Sequence, residues 1–322
     1  MTREKVLDRL RRSGEDFVSG AQLAESLGLS RTAVWKAIGQ LRAEGYRIEA
    51  LPNRGYRLAP DNDVLSLEGL GRYLRQAGLR PQVYDSISST NTVLKAMAAE
   101  GAPEGTALIA GAQSQGRGRL GRSFYSPAGS GLYLSLLLRP ACDPEQATRL
   151  TACAAVAVAE AIEELSGRKT GIKWVNDVLM DGKKVCGILT EASLDCESGT
   201  VNYAVIGVGV NLRQPAGGFP PELREIAGAV FGPEPVPELR CRLAASILDR
   251  LWENCREPEN GAVLEEYRKR SVVLGRPIRI LPREGEPEAA TALEIEPDFA
   301  LRVRMEDGSL RRLTTGEVSI RL

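Results

Sequence analysis

The chain has 322 residues, of which 43% are hydrophobic and 26% charged, so it is of the globular class and long enough for two or three domains. It contains no histidine, which excludes Ser–His and Cys–His nucleophile systems, HExxH zinc sites and imidazole acid–base catalysis. Its net charge is zero, and its six cysteines form no CxxC pair, so neither a disulfide framework nor a zinc knuckle is indicated.

The start of the sequence and its apolar runs predict a cytoplasmic protein without membrane contact. Charged residues follow Met1 almost at once, which argues against a secretory signal. The most apolar long segment, 150–159, stops at Glu160 and is too short to cross a bilayer.

The pattern of residues 1–60 predicts a helical unit. Its net charge is positive, because it holds 11 Lys and Arg against 7 Asp and Glu. Ser19 and Gln22 have the spacing of a capping box, Gly28 marks a turn, and Ser30 is placed to cap the next helix. The apolar faces of the three predicted helices are Val6, Leu7 and Leu10; Leu23, Ala24 and Leu27; and Val34, Ile38 and Leu41.

The helix, glycine turn and second helix form a helix-turn-helix pattern. Apolar residues then alternate from Tyr46 to Leu58 across a Pro-Asn turn, which predicts a β-hairpin, or wing. We therefore predict a winged helix-turn-helix that binds DNA, with a small helical protein-interaction domain as the alternative. The candidate DNA-binding residues are Arg31, Thr32, Lys36 and Gln40 on the outer side of the third helix, and Arg54 near the wing tip.

A linker rich in Pro, Asp and Asn, residues 59–66, precedes a predicted mixed α/β domain over 66–268. Residues 270–322 contain five short alternating runs separated by Gly, Pro or Asp-Gly, which predict a small SH3-like β-barrel. The fold class is therefore multidomain α+β. The strand-like runs of the central domain are 106–110, 131–138, 185–190 and 202–210, and its helical patterns are 90–99, 146–165 and 239–254.

The stretch AQSQGRGRLGRSFYSP, residues 112–127, combines glycines and arginines in one loop. It lacks the GK[ST] ending of a phosphate-binding P-loop, so Walker-type hydrolysis is not indicated. An RGG-like contact with nucleic acid is one interpretation. A single copy inside an α/β domain, directly before a strand, favours instead an ordered small-molecule site with a closing lid.

Two further stretches are rich in polar groups. SISSTNTVLK, residues 86–95, places hydroxyls and an amide at a helix start, which fits either ligand binding or helix capping alone. IKWVNDVLMDGKKVCGIL, residues 172–189, predicts a hairpin whose second strand begins near Lys184. A lysine entering a buried strand needs a partner, so Lys184 is a candidate for binding a carboxylate or phosphate, whereas Lys183 should face the other way.

The motifs GRGRLGR, KWVNDVLMDGKKVCGIL and VIGVGVN, in that order between a winged helix and a terminal domain ending GEVSIRL, resemble the family of bifunctional biotin–protein ligases and biotin-operon repressors. The resemblance covers essentially the whole chain. It implies a class II synthetase-like central ligase domain with biotin and ATP, accompanied by Mg²⁺, as substrates. The implied partners are the biotin acceptor domain of a biotin carboxyl carrier protein, operator DNA and a second copy of the chain when the adenylate is bound.

The resemblance also implies roles for residues that match its motifs. The implied biotin contacts are Ser89, Thr90, Asn91, Gln113, Arg117, Gly118, Arg119 and Lys184. The implied adenylate-binding residues are Gly116, Arg117, Gly118, Arg119, Gly121, Arg122, Phe124, Asn176 and Asn211. The catalytic candidates are Arg119, Lys184 and Asp177, and no residues are assigned to a dedicated metal site.

The family reaction has two steps, in which biotin and MgATP form biotinoyl-5′-AMP and an acceptor lysine then attacks the mixed anhydride. A carboxylate is already ionised at neutral pH, so the first step needs no histidine base. Arg119 and Lys184 would supply positive charge, and Asp177 is the candidate proton acceptor in the second step.

The sequence departs from the family pattern at a few positions. Val175 stands where proline is common, and Phe124 stands where a tryptophan is familiar. Phe219 is the candidate to cover the adenine, and Glu317 and Arg321 resemble barrel residues that face the active site.

Three alternatives remain open from the sequence. One is a related acyl-adenylating ligase of the lipoate type, and another is a ligand-sensing repressor without catalysis. The third is a ligase whose winged helix does not bind DNA.

Overall fold

The computed structural model describes residues 2–140, 143, 147–194, 199–256, 261–281, 285–314 and 316–320. The chain forms two compact units. The first comprises Met1–Gly69 and Pro233–Arg242, and the second Leu70–Gly232 and Leu243–Leu322. Segment 233–242, which the sequence analysis placed inside the domain 66–268, thus groups with the N-terminal residues.

The first unit is a helix-turn-helix followed by a hairpin. Its elements are α1 (Thr2–Arg12), α2 (Gly20–Leu27), α3 (Arg31–Ala43), β1 (Ile48–Leu51), β2 (Gly55–Leu58) and α4 (Leu67–Gly71). The capping box of Ser19 and Gln22 is present, Gly28 ends α2 in the left-handed conformation, and Ser30 caps α3 through the amide of Ala33. The apolar faces predicted from the sequence form one buried cluster between the three helices.

The segment 233–242 is held in the first unit by ion pairs at two points. Arg11 Nε of α1 lies 2.6 Å from Glu238 Oε1, and both side chains are largely buried. Arg240 Nε lies 3.1 Å from Asp63 Oδ2. These partners are more than 170 residues apart in sequence, which explains why a local pattern did not reveal them.

The second unit is built on a seven-stranded sheet with the order β3-β4-β5-β9-β8-β7-β6, in which only β3 and β4 are parallel. One face is covered by α5 (Thr90–Ala99), which packs on β4, β5 and β9, and the other by α6 (Ala147–Ser166). The strands are β3 (Arg80–Tyr84), β4 (Thr106–Ala110), β5 (Gly131–Leu138), β6 (Gly171–Lys173), β7 (Asp177–Met180), β8 (Lys183–Leu194) and β9 (Val201–Asn211). Helices α7 (Leu239–Arg256) and α8 (Gly261–Arg270) follow.

The last residues form a five-stranded antiparallel sheet with the order β13-β12-β11-β10-β14. Its strands are β10 (Pro277–Leu281), β11 (Glu288–Ile295), β12 (Leu301–Met305), β13 (Leu310–Leu313) and β14 (Glu317–Ile320). The turn before β12 reaches back to the larger sheet, since the indole Nε1 of buried Trp174 donates to Phe299 O at 2.9 Å. Tyr267 of α8 packs edge-on against Phe299 and its hydroxyl donates to Val175 O. The turn before β12 and helix α8 therefore hold residues 173–177, the K-W-V-N-D segment, in place.

The predicted multidomain α+β class is confirmed, with the helix-turn-helix first, the α/β domain in the middle and a β-sheet domain last. The short strands β3 and β6 and the helix α8 were not predicted, because each is too short or too polar to show a clear period. Within the described residues, the structure contains no helix with the length and apolar character that a membrane span needs.

Candidate active site

The floor of the site is a stretch of sheet without side chains. Gly187 of β8 pairs with Gly209 of β9, and Gly207 lies two residues further along the same strand. A methyl group built on Gly209 would lie 2.7 Å from Phe124 Cε1, and one on Gly187 would lie 3.0 Å from Phe124 Cε2. The glycines thus make room for the aromatic ring of the arginine loop to lie flat on the strands.

A bulge places Lys184 on this floor. In the β7–β8 ladder Cys186 pairs with Val178 and Lys184 with Leu179, so Val185 is an extra residue. Lys184 therefore points to the same face as Gly187, whose added methyl group would lie 3.0 Å from Lys184 Cε. Lys183 is exposed on the other side, as the sequence predicted, and donates to Arg224 O at 2.9 Å.

Polar groups from the start of α5 gather at one end of the floor. Thr90 donates from its amide and its hydroxyl to Gln113 Oε1, at 2.9 and 3.2 Å, and Gln113 Nε2 donates to Ser126 Oγ at 3.1 Å. Ser135 Oγ of β5 lies 2.7 Å from Thr90 Oγ1 and 2.6 Å from Asn91 Oδ1. Thr90, Asn91, Ser126 and Ser135 are buried together with Ser89, which caps α5 through the amide of Thr92. The segment therefore caps α5, and the same residues line a cavity.

The arginine loop folds back on itself as a small hairpin. Arg117 bridges to Ser123, Gly118 N donates to Arg122 O at 2.7 Å, and Phe124 N donates to Gly116 O at 2.9 Å. A turn of 3₁₀ helix at Arg119–Gly121 forms its tip. The backbone is thus satisfied locally, which leaves the arginine side chains to reach outward.

Charged and amide side chains form a connected set at the other end of the floor. Arg119 Nη1 donates to Asn176 Oδ1 at 2.9 Å, and Asn176 Nδ2 donates to Asp177 Oδ1 at 3.2 Å and to Ile188 O at 3.1 Å. Lys184 Nζ lies 2.6 Å from the same Asp177 oxygen, and Lys173 Nζ lies 3.8 Å from the other. Asp177 is thereby held between two lysines.

Glu191 was not predicted from the sequence, although it lies beside the polar cluster. Its carboxylate accepts from Asn91 Nδ2 at 3.1 Å and from Lys95 Nζ at 2.8 Å, and it lies 3.3 Å from Arg117 Nη1. Burial alone would raise the pKa of Glu191, but hydrogen bonds and charge from Lys95, Asn91 and Arg117 lower it overall. The available signal was an acidic residue shortly after the apolar run 185–189 of β8.

Two cavities meet above the floor. A narrow one of about 50 Å³ is lined by the polar cluster, and a cleft of about 930 Å³ extends past Trp174 to the terminal sheet. The residues that line both cavities are Gly118, Arg119, Phe124, Asn176 and Lys184. A ligand that spans the two spaces would therefore cross the arginine loop and Lys184.

The remaining predicted residues fall in several places. Asn211, Arg122 and buried Phe219 line the larger cleft, and Gly116 and Gly121 lie in the arginine loop. Residue Arg321 is outside the described part of the chain, and of Glu317 only the backbone is described, in β14.

The predicted DNA-binding residues of α3, Arg31, Thr32, Lys36 and Gln40, are all exposed on the side opposite the buried Val34, Ala37, Ile38 and Leu41. Arg54 lies between β1 and β2, with its guanidinium 5.0 Å from the centre of the Phe17 ring.

The cysteine nearest the site offers no nucleophile. Burial raises the pKa of Cys186, which lies fully buried in β8, and keeps its thiol protonated. Tyr133 beneath the loop likewise has a raised pKa, because it is desolvated. The polar groups at the floor are cations, amides, hydroxyls and the carboxylates of Asp177 and Glu191.

Comparison with known proteins places the chain in a family. Residues 83–211 match the biotin/lipoate A/B protein ligase family, and residues 2–57 match a helix-turn-helix domain. The bifunctional ligase/repressor BirA of Bacillus subtilis is 41% identical over 232 residues, which cover 70% of this chain and 69% of that protein. The chain belongs to the BirA family.

Two further relatives agree with this membership. The biotin–[acetyl-CoA-carboxylase] ligase of Mycobacterium tuberculosis is 32% identical over 256 residues, covering 74% of this chain and 89% of that protein. The structure of the Aquifex aeolicus biotin protein ligase in complex with biotin and ATP superposes with a TM-score of 0.61 at 26% identity, covering 75% of this chain and 98% of that one. The BirA family resemblance and the ligase class predicted from the sequence are confirmed.

Proposed function

We propose that this chain is an ATP-dependent biotin protein ligase that also acts as a biotin-responsive transcriptional repressor. The observation that carries the ligase function is the pair of cavities that share the arginine loop, Asn176 and Lys184. A carboxylate placed in the narrow cavity and a nucleotide placed in the cleft would meet at these cationic groups. That arrangement suits formation of an acyl-adenylate.

The narrow cavity favours biotin over lipoate. The ureido ring of biotin presents one carbonyl oxygen and two N–H groups, which match the hydroxyl, amide and backbone groups of Ser89, Thr90, Asn91 and Gln113. The dithiolane ring of lipoate has no N–H or O–H donor, so it could form no comparable hydrogen bonds with this polar lining. A site built for hydrogen bonding rejects such an analogue strongly.

In the first step a biotin carboxylate oxygen attacks the α-phosphorus of ATP, and pyrophosphate leaves. Both reactants are anionic, so positive charge at the junction lowers the barrier. We assign this charge to Arg119, which Asn176 orients, and to Lys184. The Phe124 ring covers the floor beneath the loop and limits the access of water to the mixed anhydride.

Mg²⁺ enters this scheme with ATP. Among the described residues, no group of three or more His, Cys, Asp or Glu side chains is arranged to hold a metal ion. Asp177, the carboxylate nearest the junction, is engaged by Lys184 and Lys173. We therefore assign the ion to the phosphate oxygens of the nucleotide, where it would neutralise charge.

In the second step the amine of an acceptor lysine attacks the anhydride carbonyl, AMP leaves and the amine loses a proton. Asp177 is our candidate acceptor for that proton. Because Lys184 contacts Asp177, the carboxylate would become available when Lys184 turns to the substrate phosphate. Asp177→Asn should then slow the transfer of biotin from preformed biotinoyl-AMP to the acceptor lysine. Transfer at the normal rate by this variant would contradict the role of Asp177 as proton acceptor.

The first unit supplies the repressor function. We assign DNA contacts to the exposed residues of α3 and to Arg54 in the wing, with a homodimer on a two-fold operator once the adenylate is bound. The acceptor would be the biotin domain of a carboxyl carrier protein, and the cytoplasm is the compartment in which operator and carrier are both found. The alternatives of dead chemistry or a silent winged helix are outcomes of the tests below.

The ligase test is direct. The protein is incubated with ATP, Mg²⁺, biotin and an acceptor domain, and the acceptor mass is expected to rise by one biotinyl group. Lipoate in place of biotin should give no addition, and Arg119→Ala should give little. An unchanged acceptor mass with the parent chain would reject the ligase proposal.

The repressor test uses the DNA upstream of the chain's own gene. Binding should tighten when biotin and ATP are present, and Lys36→Ala should weaken it with a smaller salt dependence. Lys5→Ala, a change at an exposed lysine of α1, is the matched control. DNA affinity that is unaffected by Lys36→Ala would point to a winged helix without this role.

A further inference from the structure

Glu191 joins three separate parts of the site. It lies in β8 on the face of Gly187, and its carboxylate contacts Asn91 and Lys95 of α5 and Arg117 of the arginine loop. Asn91 approaches one carboxylate oxygen, whereas Lys95 and Arg117 approach the other. One side chain thus touches both the polar cluster of the narrow cavity and the loop that covers it.

The environment of Glu191 keeps it ionised. Its side chain is only 16% exposed, and its pKa is lowered in spite of burial because of Lys95, Asn91 and Arg117. Charge-assisted hydrogen bonds at such a position are stronger than those at an open surface. By contrast, the Arg117 side chain is 47% exposed, and its contact with Glu191 connects it to the body of the domain on the side of the narrow cavity.

The loop is tethered on its other side by a neutral partner. Arg119 donates to the amide oxygen of Asn176, at the junction of the two cavities. Arg117 and Arg119 thus contact opposite ends of the floor, Arg117 through a carboxylate and Arg119 through an amide. Breaking the Glu191 contact should free one end of the loop while leaving the other attached.

We propose that Glu191 is a positioning residue that holds the arginine loop closed over the narrow cavity by binding Arg117. Because the same carboxylate also orients Asn91, the loop position and the recognition of the biotin ring are linked through one group. The inference rests on the proposed ligase function. Lys95 contacts the same oxygen as Arg117, but it belongs to α5, so its contact with Glu191 does not itself hold the loop.

The test compares Glu191→Gln with Lys95→Met in the full chain. E191Q keeps the shape but removes the charge, and we expect the KM for biotin in adenylation to rise about tenfold while kcat changes less than about threefold. Trypsin should cut the loop after Arg117, Arg119 or Arg122 several-fold faster in E191Q, with weaker protection by saturating biotin. K95M leaves the carboxylate to Arg117, so its KM should stay within about twofold and its loop should be cut no faster.

The outcomes separate the explanations. If Glu191 only neutralised Lys95 inside the fold, K95M would reproduce E191Q, and that result would overturn the proposal. Parent-like KM and loop cleavage in E191Q would overturn it as well. The KM readout requires an active parent ligase, whereas the cleavage readout does not, so an inactive parent would reject the proposed function and leave the cleavage test of Glu191 in place.

A second variant covers poor folding of E191Q. Arg117→Gln breaks the same contact from the loop side and leaves Glu191 bound to Lys95 and Asn91. Cleavage after Arg119 and Arg122 should then accelerate as in E191Q. An unchanged cleavage rate in R117Q, with a folded protein by calorimetry, would contradict the proposal.

Discussion

The glycine floor makes a quantitative prediction for Gly209→Ala. The added methyl group would lie 2.7, 2.9 and 3.1 Å from three atoms of the Phe124 ring, whereas ordinary contact begins at 3.4 Å. The ring must therefore move by roughly 0.5–1 Å, or the strand must shift. The backbone of Phe124 is tied to the base of the arginine loop, because its amide donates to Gly116 O, so a displaced ring also pulls on that loop.

Overpacking of this kind costs about 1–3 kcal/mol. In a unit of this size, each kcal/mol lowers the melting temperature by roughly 2–4 °C. The displaced ring also lifts the base of the loop, so we expect biotin to bind about tenfold more weakly, which corresponds to roughly 1.4 kcal/mol. Differential scanning calorimetry and titration calorimetry with biotin measure the two effects separately.

The matched control is Gly217→Ala, because a methyl group there meets nothing within 4 Å and Gly217 has no left-handed backbone. It should melt and bind biotin as the parent does. Phe124→Leu removes the two ring atoms nearest the added methyl group, so G209A/F124L should recover part of the lost stability. If G209A behaved like G217A in both assays, the close packing of ring and floor would be refuted.

Three further predictions address other parts of the molecule. Arg119→Ala should lower ATP–pyrophosphate exchange by about 10²-fold, since it removes charge at the reacting phosphate, while the melting temperature stays close to that of the parent. Ser30→Ala removes the cap of α3 and should cost about 1 kcal/mol in the helix-turn-helix unit, weakening DNA binding without slowing the ligase. Burial alone would raise the pKa of Glu163, but hydrogen bonds from Thr170 and the hydrogen bond and charge of Arg270 lower it overall. The ionised Glu163 therefore stabilises the folded chain above about pH 4.5, the pKa in the unfolded chain. This stabilisation is lost as the pH falls through the lower pKa of the folded chain.

Each of these three predictions has a control variant or an outcome that would contradict it. Arg119→Lys tests whether a positive charge alone is enough for ATP–pyrophosphate exchange. Full exchange activity in Arg119→Ala would contradict the catalytic role of Arg119. Ser30→Thr keeps a capping hydroxyl and should preserve DNA affinity. Urea denaturation from pH 7 to about pH 3 should show a smaller loss of stability for Glu163→Gln than for the parent, and equal slopes would contradict the assignment.

The sequence identified the ends of many elements because local chemistry sets them. Ser19, Gly28 and Ser30 are capping and turn residues whose preferences act within a few residues, and the structure shows each in that role. The alternating runs of the terminal sheet and the Asp181-Gly182 turn were visible for the same reason, since both turn residues adopt the left-handed conformation there.

Short-range patterns did not reveal contacts between distant segments. The pairing of Glu191 with Arg117 joins a strand to a loop more than 70 residues earlier, and Trp174 donates to Phe299 in the turn before β12, 125 positions away. Gly207 and Gly209 lie in the VIGVGVN motif, to which the sequence assigned no structural role. Their role as a floor for Phe124 depends on a ring supplied by another segment.

By itself the sequence determined the kinds of chemistry available to this protein. The absence of histidine, the arginine loop and the K-W-V-N-D segment define a site of cations and amides. Only the tertiary structure decided how these groups meet, because the extra residue Val185 turns Lys184 onto the glycine floor, which strand alternation alone cannot show. It also decided that Asp177 lies between two lysines and that Glu191 reaches the loop, since both depend on the packing of segments far apart in the chain.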